Sequence, residues 1–506
     1  MTRHHNGHLR PNDPPIGPPL PSAQCLPSIA VDRWQFRLTS FYHPGAEAVE
    51  GLWLTVGAGL PTIHVTGRDG QSAGVIVGFP IDLSAQRIVR GQWHAPSQAD
   101  LQSEEGIHLA LRCLGGRFIW IVSIAGRAVL DPDAATQRPC VWDPSARAAG
   151  TTSSAILTPQ DYEDRFDADL FDRLQIKGEG WFPAGLTAHQ GVNRLLPNHY
   201  LDLATWTAHR FQAVPVGSPS PETVMSAVED AIRIQINALR KGPEKLTLAL
   251  TAGRESRAIL ACLRKDAKDL RFVTVTGADR HQTDTCIAKR IATELGLDHI
   301  TLPRQIADQV AQQLFLKRAG HCCGDSNMAY HPSLRPLAGE YVFSGGLGGE
   351  IARAFYWTKA DAPDMKVTPD TLQTRFGLPP SATVRAALKA WLENVPPTYN
   401  ARQILDLAYL ELRLGPWAMA QFCADPTVVR YAPMITYDTV QYMCDLPDDW
   451  KIGRKLNEAL VARNWPELNN FPYNSLGLIR DTLLRAQRIG RDPRLLIKKL
   501  RQWRFG

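Results

Sequence analysis

No apolar run among the 506 residues approaches the ~18 that a membrane-spanning helix needs, so a helical membrane span is not expected. No signal-peptide pattern opens the chain, which gives the expectation of a cytoplasmic protein. Cysteine is scarce and unpatterned: nine residues, an odd number, with none of the paired spacings of a zinc site. Cys322 and Cys323 are adjacent, which suits neither a bridge nor a metal site, so reduced thiols are expected. Charge of one sign is also lacking. A net +6 over this length, with no dominant basic block, does not by itself indicate a nucleic-acid-coating role. What is present is 44% hydrophobic residues, enough for at least two cores.

Three regions follow from composition and pattern. Residues 1–28 are rich in proline and polar residues, with His4, His5 and His8 close together; a disordered tail is expected, a metal-binding tract being the alternative. Residues 29–215 are β-rich: 117–126 and 128–133 predict a hairpin turning at Gly126-Arg127, and 199–203 a short strand. The proline- and serine-rich stretch 214–221 reads as a linker. From 222 to 506 helix and strand alternate, with helices over 224–239, 256–264 and 284–295 and strands over 246–250, 270–276, 299–302 and 341–344. That alternation predicts a doubly wound parallel α/β sheet with ligands at the carboxyl ends of its strands. Beyond 360 the pattern is mostly helical, and residues 485–504 gather eight basic side chains against one acid, Asp492.

The most informative stretch is the apolar strand Leu246-Thr-Leu-Ala-Leu250, which runs into the small polar turn Thr251-Ala252-Gly253-Arg254-Glu255-Ser256 and then a helix. Free backbone N–H groups and a helix dipole aimed at one point make an anion site. The turn lacks Walker spacing, which disfavours a kinase or GTPase.

The turn resembles the pyrophosphate loop of the ATP pyrophosphatases, Ser-Gly-Gly-x-Asp-Ser, and this implies adenylation with release of pyrophosphate. Three later segments resemble, in order, the synthetase domain of asparagine synthetases. They are Thr274-Val-Thr-Gly277 with Asp284 and Ala288; Gly345-Gly-Leu-Gly-Gly-Glu350, beside that family's Gly-Asp-Gly-Gly-Asp-Glu loop; and Arg430-Tyr-Ala-Pro-Met434 with Asp445-Leu-Pro-Asp448 and Lys455-Leu-Asn-Glu-Ala-Leu460. Residues 178–203 resemble the end of the family's glutamine amidotransferase domain. The resemblance implies a degenerate glutaminase-like, Ntn-type domain over 29–215. Over 222–506 it implies an adenine-nucleotide α-hydrolase-like ligase domain with a helical extension.

Residue roles carry over position by position. The resemblance places ATP against Leu250, Thr251, Ala252, Gly253, Arg254, Ser256, Val275, Gly345 and Gly346. It places Mg²⁺ on Glu255, where the family has a shorter Asp, and on Glu350, one position beyond the family's acid, which aligns with Gly349. The plainer alternative for either glutamate is an acid at a helix start, favoured by the dipole. Carboxylate attack on an α-phosphate needs the triphosphate neutralised and the leaving pyrophosphate held. Lys455 matches the family lysine that serves the second half-reaction, and Lys451 is the fallback because two residues are missing there. A solvated surface lysine is the alternative for both. Glu411 sits where β-lactam synthetases carry the Glu of a Tyr–Glu dyad, but the tyrosine's place is taken by Gly346. A helical ion pair is the other reading of Glu411.

The amine source separates the members of this family. Asparagine synthetases use a cysteine exposed at the N-terminus; here residue 2 is Thr, and the nearest cysteine, Cys25, lies in the proline-rich tail. A dead glutaminase leaves the amine to the substrate itself, as in β-lactam and carbapenam synthetases and the lasso peptide macrocyclases. The missing tyrosine, the divergent 251–257 loop, the Gly-Gly-Glu-x-x-Arg phrase at 348–353 and the basic C-terminal helices favour a lasso peptide cyclase. Such an enzyme adenylates an Asp or Glu side chain of a precursor peptide, and the peptide's N-terminal amine closes the macrolactam. ATP and Mg²⁺ are the implied cofactors. The implied partners are the precursor peptide, a leader peptidase and a leader-binding protein, with no nucleic acid. The alternatives are a small-molecule amide ligase, a nucleotide-binding pseudoenzyme and, least favoured, a tRNA sulfurtransferase-like pyrophosphatase.

Overall fold

The computed structural model describes residue 29 and residues 31–67, 70–178, 180–211, 219–277, 280–324, 326–343, 347–425 and 427–475. The 1–28 tail with Cys25, most of the 214–221 linker, Gly345, Gly346 and the basic segment 485–504 lie outside the described residues.

The β-rich part is built on two facing sheets. One has six strands in the order Asn193–Arg194, Val141–Asp143, Ala148–Gly150, Phe36–Thr39, Leu52–Val56, Glu47–Val49. The eight-stranded sheet centres on Ser72–Asp82, Leu114–Ile124 and Arg127–Pro132 and is antiparallel except between Thr62–Thr66 and Gln92–His94. Side-chain alternation explains its nearly continuous apolar strands. Val75, Val77, Ile119, Ile121 and Leu130 pack in one core with Phe36, Leu38 and Leu54 of the first sheet. Their neighbours Ile76, Phe118, Trp120, Val122 and Val129 form a second core with helix Glu104–Arg112. The hairpin turns at Ala125-Gly126, one residue before the expected Gly126-Arg127, with Ile124 facing Arg127 across it. Both turn residues have positive φ, +47° and +79°, the geometry that matches strand twist.

Helix Pro221–Arg240 opens the second part. Its start is set by Ser220, whose hydroxyl accepts the Thr223 N–H at 3.1 Å, and by proline in the first turn. Val224, Val228, Ile232, Ile236 and Leu239 repeat at helical spacing and form its buried face. Behind it lies a five-stranded, wholly parallel sheet in the order Asp298–Pro303, Arg271–Thr276, Leu246–Ala249, Tyr341–Phe343, Val429–Tyr431. The expected four strands are present within a residue or two, and Val429–Tyr431 is a fifth that local pattern did not reveal. Strand order reverses at Leu246–Ala249, because the next two strands lie on one side and the last two on the other. That reversal opens a crevice at the carboxyl ends of the strands. Mostly helical chain follows the sheet, including a wide π-helical stretch, Tyr409–Ala418, that contains Pro416 and is tied to the β-rich part through Trp181 Nε1, which donates to the Leu412 carbonyl at 2.8 Å. The two parts are joined through a shared core and polar ties: Gln235 Oε1 accepts the Gly116 N–H at 3.0 Å, and Arg117 donates to the Phe422 and Arg430 carbonyls at 3.2 and 3.3 Å.

Candidate active site

The turn from Leu250 to Ser256 sits at that reversal. Leu250 is fully buried, its N–H donating to the Val273 carbonyl at 2.9 Å and its own carbonyl accepting the Thr274 hydroxyl at 2.6 Å. Those bonds fix the residue just past the strand, and the chain turns at Thr251. Thr251 Oγ1 accepts the Gly253 N–H at 3.1 Å, and Ser256 Oγ accepts the Thr251 N–H at 3.2 Å. The Ala252 N–H donates to Asp284 Oδ1 at 2.9 Å, so one loop amide already holds a carboxylate oxygen. Helix Arg254–Cys262 begins with no side-chain cap, which leaves first-turn amides free for an anion. Val275 stands half-buried near the carboxyl end of the neighbouring strand, Arg271–Thr276.

Below the loop, Arg257 is fully buried and donates to the carbonyls of Phe471 at 2.6 Å and Pro472 at 2.9 Å, while its guanidinium lies 3.8 Å from the Tyr473 ring centroid. The Asn474 N–H donates to the Ala252 carbonyl at 3.1 Å. A segment more than 200 residues away thereby braces the turn. Arg257 and Asn474 carried no sequence signal for this role.

Glu255 and Glu350 come together beside the loop. Arg353 Nη2 lies 2.7 Å from Glu350 Oε1 and 3.8 Å from Glu255 Oε1. The second oxygen of Glu350 is buried without a hydrogen-bond partner. Burial, with the nearby Glu255 charge adding to it against Arg353, pushes the Glu350 carboxyl up to about 7. A Cβ at residue 349 would stand 2.8 Å from Glu255 Cγ and 3.1 Å from Asn457 Nδ2, so the longer Glu255 occupies the space an aspartate there would need. The glutamate at 255 and the glycine at 349 are complementary.

A cavity of about 70 Å³ lies here, walled by Glu255, Gly349, Arg254, Arg353, Arg454 and Asn457, with Asn474 at its edge. Glu255 in the cavity wall and the nearby Glu350, which shares Arg353 with it and keeps one buried oxygen without a partner, would be the carboxylates to hold a divalent cation, its other ligands coming from phosphate and water. No group of three or more His, Cys, Asp or Glu arranged for a metal exists among the described residues.

The two lysines singled out from sequence are not in this cavity. Lys455 is exposed, its Nζ 2.6 Å from Asp449 Oδ2. Lys451 is buried, its Nζ 2.6 Å from Asp406 Oδ2 and donating also to the Cys444 carbonyl. The cation that reaches the cavity from this segment is Arg454, whose φ of +51° separates helix Asp448–Gly453 from helix Lys455–Asn464. Arg254 also lines it and pairs with Glu458 at 2.7 Å.

Glu411 is elsewhere and fully buried. Its Oε1 accepts from Asn198 Nδ2 at 3.1 Å and from Arg210, and its Oε2 from Trp391 Nε1 at 2.7 Å. The ion pair expected as one reading of Glu411 is present, but it joins the two parts of the chain rather than one helix.

No protein-family model matches the chain, and no curated protein matches it. Among solved structures, NMN synthetase from Francisella tularensis is similar at 15% identity over 38% of this chain and 93% of its own, with a TM-score of 0.18. The U34-tRNA thiolase NcsA from Methanococcus maripaludis, with its [4Fe-4S] cluster, is similar at 12% identity over 51% and 84%, with a TM-score of 0.20. NAD+ synthetase from Burkholderia pseudomallei is similar at 17% identity over 49% and 88%, with a TM-score of 0.17. Similarity at that level carries no functional weight, and the reading below rests on this chain's own residues.

Proposed function

We propose that the chain is an ATP-dependent amide ligase that adenylates a carboxylate and joins it to an amine of the same substrate, as a lasso peptide cyclase does. One observation carries this reading: the Thr251–Ser256 turn lies where the strand order reverses, with Glu255 and Glu350 both within 3.8 Å of Arg353 Nη2 beside it. Free first-turn amides and the Thr251 and Ser256 hydroxyls hold the departing pyrophosphate, and Asp284 yields the Ala252 amide to it. Glu255 and Glu350 are the residues that would hold Mg²⁺, which would supply positive charge to offset the triphosphate. Arg454 and Arg353 offer positive charge to the phosphate that leaves as the amide forms. Lys455 supplies that charge only if it leaves Asp449. The β-rich part is read as glutaminase-like without a nucleophile. Burial pushes the thiol of Cys140 up to about 12 and also raises that of Cys113, so neither is activated.

A second reading is ligation of a small amino acid in place of a peptide. The deciding experiment is mass spectrometry after incubation with ATP, Mg²⁺ and leader-free peptides bearing an internal Asp or Glu. Loss of one water with an equal amount of AMP supports the cyclase. Turnover of small β-amino acids but of no peptide supports the second reading, and ATP binding without AMP from any acid overturns both.

A further inference from the structure

A larger cavity lies away from the loop. It measures about 530 Å³, within the ~300–1,000 Å³ usual for small-molecule sites, and it sits where the two parts of the chain meet. Helix Glu104–Arg112 of the β-rich part and helices Ala401–Ala408 and Tyr437–Cys444 of the C-terminal part wall it. Phe211, Leu407, Leu410 and Val440 give it an apolar surface.

Its charge is unbalanced. Asp100, Glu105, Asp406, Asp438 and Asp445 line it, against the guanidinium groups of Arg112 and Arg210. Each of these cations is already engaged. Arg112 lies 2.6 Å from Asp438, and Arg210 pairs with Glu411. Asp406 is matched by Lys451 at 2.6 Å. His108 adds no charge, because burial lowers its pKa from an already near-neutral value. Asp445 is left half-buried in the wall, and Asp100 and Glu105 stand exposed at its rim. Burial raises the Asp445 carboxyl against the opposing charge of Lys451, and its side chain forms no ion pair among the described residues.

We infer that this cavity binds a small organic cation, a primary ammonium on an apolar body, with the ammonium at Asp445 and the body against Leu407, Leu410 and Phe211. This site shares no residue with the loop cavity and stands independently of the ligase reading.

The test is a fluorescence titration of the full chain with dansylcadaverine and, separately, with its N-acetylated and therefore neutral form. The amine should bind saturably and at least about ten-fold more tightly than the neutral form. Asp445→Asn should remove most of that preference, and Leu407→Trp should weaken both probes by filling the cavity. Glu255→Ala should leave the titration unchanged. Equal affinity for the two probes, a preference retained in Asp445→Asn, or dependence on Glu255 would each overturn the inference.

Discussion

Glu350 and Glu411 are both held inside the protein, yet only one of them has its oxygens fully engaged. Glu411 is fully buried and receives hydrogen bonds on both oxygens, from Asn198, Arg210 and Trp391. Glu350 has an orphaned oxygen and a like charge as neighbour, and its carboxyl is pushed up to about 7. The same contrast separates Lys451, locked to Asp406, from Arg454, exposed at the loop cavity. A buried charge satisfied by the fold maintains the fold, whereas one left wanting is available for chemistry.

The contrast would break most visibly in activity. Glu255→Ala and Glu350→Ala should each lower carboxylate-dependent pyrophosphate release by roughly 100-fold or more while the folded signal by circular dichroism persists. Glu411→Ala should instead cost on the order of 3–5 kcal/mol of stability in denaturant titrations, because Arg210 is left buried without its partner. If Glu411→Ala keeps its stability and loses only turnover, the division is wrong.

The cations give a smaller but sharper version. Arg454→Ala should reduce amide formation by about 10-fold or more, and Lys455→Ala by only a few-fold, with ATP binding little changed in both. Lys451→Met should show mainly as a lower melting temperature, since Asp406 then stays buried and unpaired. A larger kinetic loss in Lys455→Ala than in Arg454→Ala would return the lysine to the reaction.

The smallest effect concerns pH. The Glu350 carboxyl is raised from 4.5 to about 7, so its contribution to stability is full below 4.5 and is lost as pH rises through 7. Without Mg²⁺ the melting temperature should fall by a few degrees over that window, and Glu350→Gln should flatten the fall. At pH 8, Mg²⁺ should raise the melting temperature of the wild type but not of Glu350→Gln. An equal rise in both would remove Glu350 as a metal ligand.

The alternation of apolar strands and amphipathic helices from 222 onward made the parallel sheet legible, and its strands lie within a residue or two of expectation. Val429–Tyr431 escaped because three residues carry no periodicity and their partner strand, Tyr341–Phe343, lies far back in the chain. The hairpin turn lies at Ala125-Gly126, where both residues take the positive φ of a type I′ turn, which composition alone does not locate. At the site, the loop and both glutamates stood out in sequence, but the close fit of Glu255 Cγ against residue 349, where a Cβ would stand 2.8 Å away, did not.

The sequence by itself determined the local parts: an apolar strand, a small polar turn and an uncapped helix start, each set by neighbours a few residues away. Only the tertiary structure decided which charges are spent and which are free. Arg210 reaches Glu411 and Asp406 reaches Lys451 across long stretches of chain, while Arg454, not Lys455, lines the cavity. The state of a buried charge is the sum over everything around it in space, and most of those groups are remote in sequence.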